Sequence, residues 1–449
     1  MTVLPIILIG LALLLMLSIS LKNGALSPLF LFMAFLTIGI WVRASQLISE
    51  VGPELVLAPW ALGGGLSSSA LLSMVELFIA LSIAFFVSYI TLNVGMKIKQ
   101  VKILSLLKVN VLTRRQSHFL VIIGVGAAVL FLSIMSNLLG GLSEVVLIFQ
   151  SRSVTAMAGR GYIGLLADIP GVVTLFLAFS YFRRKALNVK HEGKWAFYGM
   201  SILTLVMLSV LGGRGALLQF LLMLGVVYYA CKQRRVRLSL ALVSVLLISL
   251  VVIISGLASR YSAQNQTPLI ESISEVSENL VANLSSPFAL LDHYMLAKIY
   301  VDSRGYDYGA QYVLYFVRPV PRSIWPNKPL PLALKMRQEF WGDTEGGIPP
   351  TVFGEFFIAF GYFGLFLGSI ILGIVLGLLG RLFNASFTDP AQSVLYALIA
   401  VTVVFSVIRS GLEISFVKLL IYIFVVMGLN LILRMGRVTK KCNGTAKTL

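Results

Sequence analysis

Apolar runs of about 20 residues recur along this chain between short clusters of lysine and arginine, and no other feature restricts its fold as strongly. A run of that length spans the hydrocarbon core of a bilayer as an α-helix, which satisfies its own backbone hydrogen bonds where no water is present. With 58% hydrophobic and 12% charged residues and a mean hydropathy of +0.93, a water-soluble domain of this size is excluded. The ten-residue alternation of a membrane β-barrel is missing. The expected fold is therefore all-α and polytopic, with about eleven transmembrane helices at 3–20, 27–41, 71–94, 118–135, 163–182, 196–211, 216–230, 238–257, 356–379, 393–408 and 414–433. The first run lacks a basic leader and a small-residue cleavage site, so it is expected to be retained.

The formal charge is +18, but its placement matters more than its size. Lys97, Lys99, Lys102, Lys108, Arg114 and Arg115 share one inter-span loop, Arg183, Arg184, Lys185, Lys190 and Lys194 another, and Lys232, Arg234, Arg235 and Arg237 a third. These alternate loops are assigned to the cytoplasm, as is the tail with Arg434, Arg437, Lys440, Lys441 and Lys447. An odd span count then places the N-terminus outside. The basic charge orients the chain in a bilayer and implies no nucleic acid. Cys231 and Cys442 both fall on the cytoplasmic side, with no metal or redox spacing, so no disulfide is expected.

The chain divides into spans one to eight (1–257), a long outer segment (258–355), three further spans (356–434) and a basic tail (435–449). From Arg260 up to Glu355 the outer segment carries eight basic and nine acidic residues, so its cations do not serve topology. Helical periodicity marks 268–284, 287–300 and 332–341, and the apolar, aromatic stretch 312–317 suits a bilayer surface. Closely spaced prolines make 318–322 and 325–329 non-helical, and 343–347 reads as a turn. A second outer loop, 138–160, is amphipathic.

Arginines gather where outer ends of spans are expected: Arg160, Arg214, Arg260, Arg318, Arg322 and Arg409. Arg214 lies in Gly212-Gly213-Arg214-Gly215, a turn whose glycines let the backbone approach a ligand. A guanidinium presents a planar fork of donors suited to phosphate or diphosphate; its plainer role is snorkelling to lipid headgroups. Glu355, Glu413 and Asp292 are acids that could activate a hydroxyl or hold an arginine. Asp168, inside the fifth span, must face the protein interior and is expected to support an arginine. His293 is the one outer histidine, and Lys418 lies within the last span. No acid pair of the kind that holds a metal in sugar-nucleotide enzymes occurs, so no metal or other cofactor is expected. Walker and HExxH motifs are also missing, which argues against an ATP-driven pump.

Four stretches carry a resemblance. They are 211–216 with Arg214, Val320 to Pro329 with Arg322 and Lys328, Pro349 to Glu355 leading into an aromatic glycine-rich span, and Arg409 to Glu413. In this order and topology the chain resembles the Wzy-type O-antigen polymerases, enzymes of the bacterial inner membrane. The resemblance implies a GT-C-like fold and metal-independent, inverting transfer on the periplasmic face, with the large loop and N-terminus periplasmic and the C-terminus cytoplasmic. The donor would be a growing glycan on undecaprenyl diphosphate, and the acceptor a new undecaprenyl-diphosphate-linked unit. A membrane chain-length regulator is the implied partner. Arg214, Arg322 and Arg409 would bind the diphosphate, with Arg160, Arg318 and Lys328 assisting, and Glu355 or Glu413 would take the proton.

Two alternatives stand beside this reading. An O-antigen ligase shares the fold and donor but transfers to lipid A core and would depend on His293. A polysaccharide or lipid transporter would line an internal cavity with charge, whereas these charges gather at the outer ends.

Overall fold

The computed structural model describes residues 3–24, 26–44, 66–94, 112–151, 163–189, 193–210, 214–232, 290–318, 320, 324–343, 347–384 and 389–445. All regular structure among them is helical. In chain order the helices are α1 (Val3–Leu21), α2 (Pro28–Leu36), α3 (Leu66–Asn93), α4 (Arg114–Leu139), α5 (Leu142–Ser151), α6 (Gly164–Ala186), α7 (Lys194–Val210) and α8 (Arg214–Lys232). Then come α9 (Leu290–Arg304), α10 (Ala310–Val317), α11 (Leu332–Trp341), α12 (Thr351–Asn384), α13 (Pro390–Val401) and α14 (Ile408–Thr445). Wider π-helical turns extend α2 over Thr37–Val42 and join α13 to α14 over Thr402–Val407.

Among the described residues six stretches are long and apolar enough to cross a membrane: Leu4–Leu21, Ser69–Asn93, Arg114–Leu139, Gly164–Ala186, Thr351–Phe383 and Pro390–Arg434. Three shorter apolar helices accompany them. The chain is a multi-pass, all-α membrane protein. The expected eighth span, 238–257, the outer helix at 268–284 and Cys442's side chain lie outside the described residues.

Local chemistry sets the helix starts. Ser27 accepts from Phe30 N–H ahead of Pro28, and Thr113 and Gln116 form a reciprocal capping box. Asp389 caps α13 ahead of Pro390. The central contact is α12 lying along α3, where Gly373 and Gly377 bring the backbone onto Ala84 and Ser88. The helices α4, α6, α7 and α8 pack in sequence, and α13 closes against α6 and α8.

Two helices are broken: the expected span 356–379, and the rod that carries the expected spans 393–408 and 414–433, which breaks inside the gap left between them. In α12 the break falls at Phe360 and Gly361 (φ 61°), inside the aromatic glycine-rich stretch, and it frees the Ile358 carbonyl to accept from Asp307 N–H at 3.0 Å. In α14 it falls at Gly411 (φ 79°). Helix α12 also begins a turn before the expected span, so Glu355 sits inside it.

Buried polar links dock the short helices α9 to α11 on the spans. Arg43 Nε and Nη2 donate to Asp292 at 3.0 and 2.8 Å. Glu76 of α3 accepts from Tyr294, Lys298 and Tyr362, each at 2.9 Å, joining α9 and the α12 break to α3. Arg304 of α9 meets Glu339 of α11 at 2.6 Å. These links fasten α9 to α3, to Arg43 and to α11.

Candidate functional site

The site forms around the break at Gly411. Stopping the helix there and restarting it exposes new amide donors, and Glu355 of α12 supplies the acceptor: its Oε2 takes the Leu412 N–H at 2.6 Å. The Glu413 amide also engages this carboxylate. A side chain on Gly411 would overlap Glu355 Oε1, so the glycine is required by its positive φ and by the close approach. Gln311 Nε2 of α10 donates to the Glu355 carbonyl at 3.1 Å. The Tyr315 phenol is held in its neutral form, first by burial and then by the negative charge of Glu355.

Glu413 does parallel work one residue on. Its Oε2 accepts from Leu332 N–H at 3.0 Å, capping α11, and its Oε1 pairs with Arg318 Nε. Both members of that pair are almost fully buried. Glu355 and Glu413 thus stand side by side, each at the start of a helical segment.

A second cluster forms on the other side of α14. Arg409 Nη1 lies against Gly215, where a β-carbon would come within 2.8 Å, and the ring of Phe405 closes the same contact. The glycine-flanked turn and the Arg409-to-Glu413 motif therefore meet in space. His293 of α9 joins them. Its Nδ1 is buried and makes no hydrogen bond among the described residues, while the Pro349 backbone engages the ring. Burial, and then the Arg409 charge, pull the imidazole down to about 4. His293 is therefore neutral, with the Arg409 charge acting on it. The adjacent Arg43–Asp292 pair fixes the first turn of α9 and so the position of the ring.

The remaining sequence candidates fall in several places. Arg318 Nη1 donates to the Pro329 carbonyl at 2.7 Å, and Lys328 Nζ donates to the carbonyls of Arg318 and Val320 at 2.9 and 2.7 Å. These two cations fasten the proline-rich turn. Arg214 opens α8, but its side chain lies outside the described residues, as do Arg160, Arg322 and Arg260. Asp168 faces Lys418 instead of an arginine. Both line a cavity of about 40 Å³ with Gln219, Thr204 and Tyr422, and Lys418 Nζ donates to Gln219 at 3.2 Å. Among the described residues no group of three or more His, Cys, Asp or Glu could hold a metal ion.

Glu76 and Arg43 were missed by the reading of the sequence. Each is a lone ionisable residue in or beside an apolar run, which is costly unless paired and was the available signal. Searches of protein-family models, of curated proteins and of solved structures find no match to the chain.

Proposed function

We propose that this chain is an inverting membrane glycosyltransferase that joins oligosaccharide units carried on undecaprenyl diphosphate, a polymerase of the Wzy type with a GT-C-like fold. One observation carries the reading: Arg409 packs on Gly215, the residue that follows Arg214 in the chain, and its charge acts on His293, whose Nδ1 makes no hydrogen bond among the described residues. A preplaced guanidinium stabilises the negative charge that develops as a sugar leaves diphosphate. A neutral imidazole can take a proton.

In this reaction the acceptor hydroxyl oxygen attacks the anomeric carbon of the donor glycan. The bond from that carbon to the diphosphate oxygen breaks, and its electron pair leaves with undecaprenyl diphosphate beside Arg409. The hydroxyl proton passes to His293 Nδ1. Glu355 and Glu413, first candidates for the base, serve instead as helix caps that hold α12, α11 and α14 in register. The reaction takes place on the outer face of a bacterial inner membrane, with the large loop periplasmic and a chain-length regulator as partner.

The open nitrogen of His293 favours a second reading, an O-antigen ligase with lipid A core as acceptor. The test uses purified protein in nanodiscs with a lipid-linked repeat unit alone. A glycan ladder with release of undecaprenyl diphosphate supports polymerisation. Transfer only on adding lipid A core makes the protein a ligase, and no turnover with either substrate points to a transporter.

A further inference from the structure

Two π-helical turns stand in the same relation to an arginine. One, Thr37–Val42, ends α2 and is followed by Arg43; the other, Thr402–Val407, joins α13 to α14 and is followed, after Ile408, by Arg409. A π turn holds one residue more than an α turn, so residues beyond it are turned by about 100° from where a continuous α-helix would put them. In both rods that shift falls just ahead of the cation.

The two arginines act on neighbouring residues at the start of α9. Arg43 Nε and Nη2 donate to Asp292 at 3.0 and 2.8 Å, and the charge of Arg409 acts on His293. The two rods also touch each other. Phe35, two residues before the first π turn, and Phe405, inside the second, meet edge to face with ring centroids 5.0 Å apart at 79°. Phe405 precedes Arg409 by four residues and lies against the same Gly215.

A closed circuit results. It runs from Phe35 to Phe405 and Arg409, across to His293 and Asp292, and back through Arg43 to the rod that carries Phe35. Gly215 offers no side chain, so the Phe405 ring fills the space beside the guanidinium, and Phe35 keeps that ring in place. At its other end the same rod grips α9 through the buried Arg43–Asp292 pair. The rod supplies neither Arg409 nor His293, yet it is fastened to the elements that carry both.

We propose that Phe35 and Phe405 are positioning residues, and that α2 with its π turn is a brace that sets Arg409 against His293. The inference rests on the polymerase reading, in which Arg409 meets the departing diphosphate and His293 takes the proton. A donor aimed at developing charge must be held in place before the reaction, and a misplacement of about 1 Å can cost about 10²-fold.

The test reads the Arg409–His293 relationship directly and needs no turnover. The full chain, with ¹⁵N-labelled histidine, is titrated in nanodiscs and the imidazole signals are followed by NMR; His293→Gln identifies the signals of His293 against those of His118 and His191. Arg409→Ala removes the charge and is expected to move the His293 midpoint up from about 4. Phe35→Ala and Phe405→Ala are expected to move it the same way by about half a unit or more, part of the shift that a neighbouring charge commonly causes. In an Arg409→Ala background neither is expected to move it further. Phe35→Leu and Phe405→Leu keep most of the volume and decide the matter at any position where the alanine variant does not fold. Phe131→Ala, in a separate apolar cluster with Phe149, is the control for a lost buried ring and should leave the midpoint at about 4.

An unmoved midpoint in folded variants at both phenylalanines would overturn the proposal. So would a shift that persists undiminished in the Arg409→Ala background, since the rings would then act on His293 by burial and not through the guanidinium. An equal shift in Phe131→Ala would reduce the effect to general loosening, and no shift in Arg409→Ala would break the circuit at its central link. Absence of a glycan ladder from the wild-type protein overturns the polymerase reading instead, a result scored in a separate assay.

Discussion

Glu355 Oε2 accepts the Leu412 amide proton at 2.6 Å across the break at Gly411, so a carboxylate from one membrane helix caps a segment of another. Gly411→Ala puts a β-carbon into that carboxylate and forces a positive φ on an L-residue, which alone costs about 1–2 kcal/mol. A fall in thermal midpoint is expected in detergent. Glu355→Gln keeps an acceptor for the amide and is expected to fold, whereas Glu355→Ala leaves the buried donor unpaired at about 1–3 kcal/mol. Thermal unfolding of the three variants checks the order, and equal stability of Glu355→Ala and Glu355→Gln would remove the capping role.

The Arg318–Glu413 pair is buried on both sides, and Glu413 also caps α11. Removing either partner strands a buried charge, at about 3–5 kcal/mol. Arg318→Ala and Glu413→Ala are each expected to destabilise the chain strongly, and the double variant by clearly less than their sum. A double-mutant cycle on unfolding reads the coupling; additivity would show that the two side chains act independently.

The long apolar helices were legible because a bilayer demands about 20 consecutive apolar residues, a signal written locally. Helix α11, over Leu332–Trp341, was legible to the residue, since Pro331 precedes it and Gly342 follows. The break at Gly411 falls in the gap the sequence left between two spans, but the break at Gly361 was not legible, because it lies inside an apolar run among other glycines and nothing in a glycine's neighbours discloses a positive φ. Pairings were hidden for a related reason: Asp292 meets Arg43 from 249 positions away, and Glu413 meets Leu332 from 81. The sequence identified Asp168, Asp292, Glu355 and Glu413 and several of the arginines, but neither Glu76 nor Arg43, nor which cation each acid would face. Arg318 was therefore expected on a diphosphate and is found on Glu413, and Asp168 was expected on an arginine and is found facing Lys418.

Arg409 tests the functional reading most directly. Its guanidinium rests on Gly215, and the proposed role is to stabilise the departing diphosphate. Arg409→Ala is expected to lower kcat by about 10²–10³, the usual loss when one preplaced donor to a developing oxyanion is removed. Arg409→Lys keeps the charge but loses the fork and should recover only part of the rate. Turnover of a lipid-linked unit in nanodiscs measures both, and full activity in a folded Arg409→Ala protein would eliminate the clamp.

His293 makes a prediction about pH with a definite sign. Its folded pKa of about 4 lies below the ordinary value of about 6.5, so the unfolded chain binds the extra proton first. The stability associated with neutral His293 is fully present above pH 6.5 and is lost as pH falls towards 4, by about 3 kcal/mol in all. Thermal midpoints measured across this range should fall less steeply in His293→Gln than in the wild-type protein. With His293 in its proposed role as the base, the same value sets the pH profile of turnover. A base that stays unprotonated down to about pH 4 keeps kcat/KM level from pH 7.5 to about 5, while His293→Gln is slow throughout, by about 10²–10⁴. An acidic limb centred near pH 6.5 in the wild-type profile would mean that a solvated group, and not the buried imidazole beside Arg409, accepts the proton.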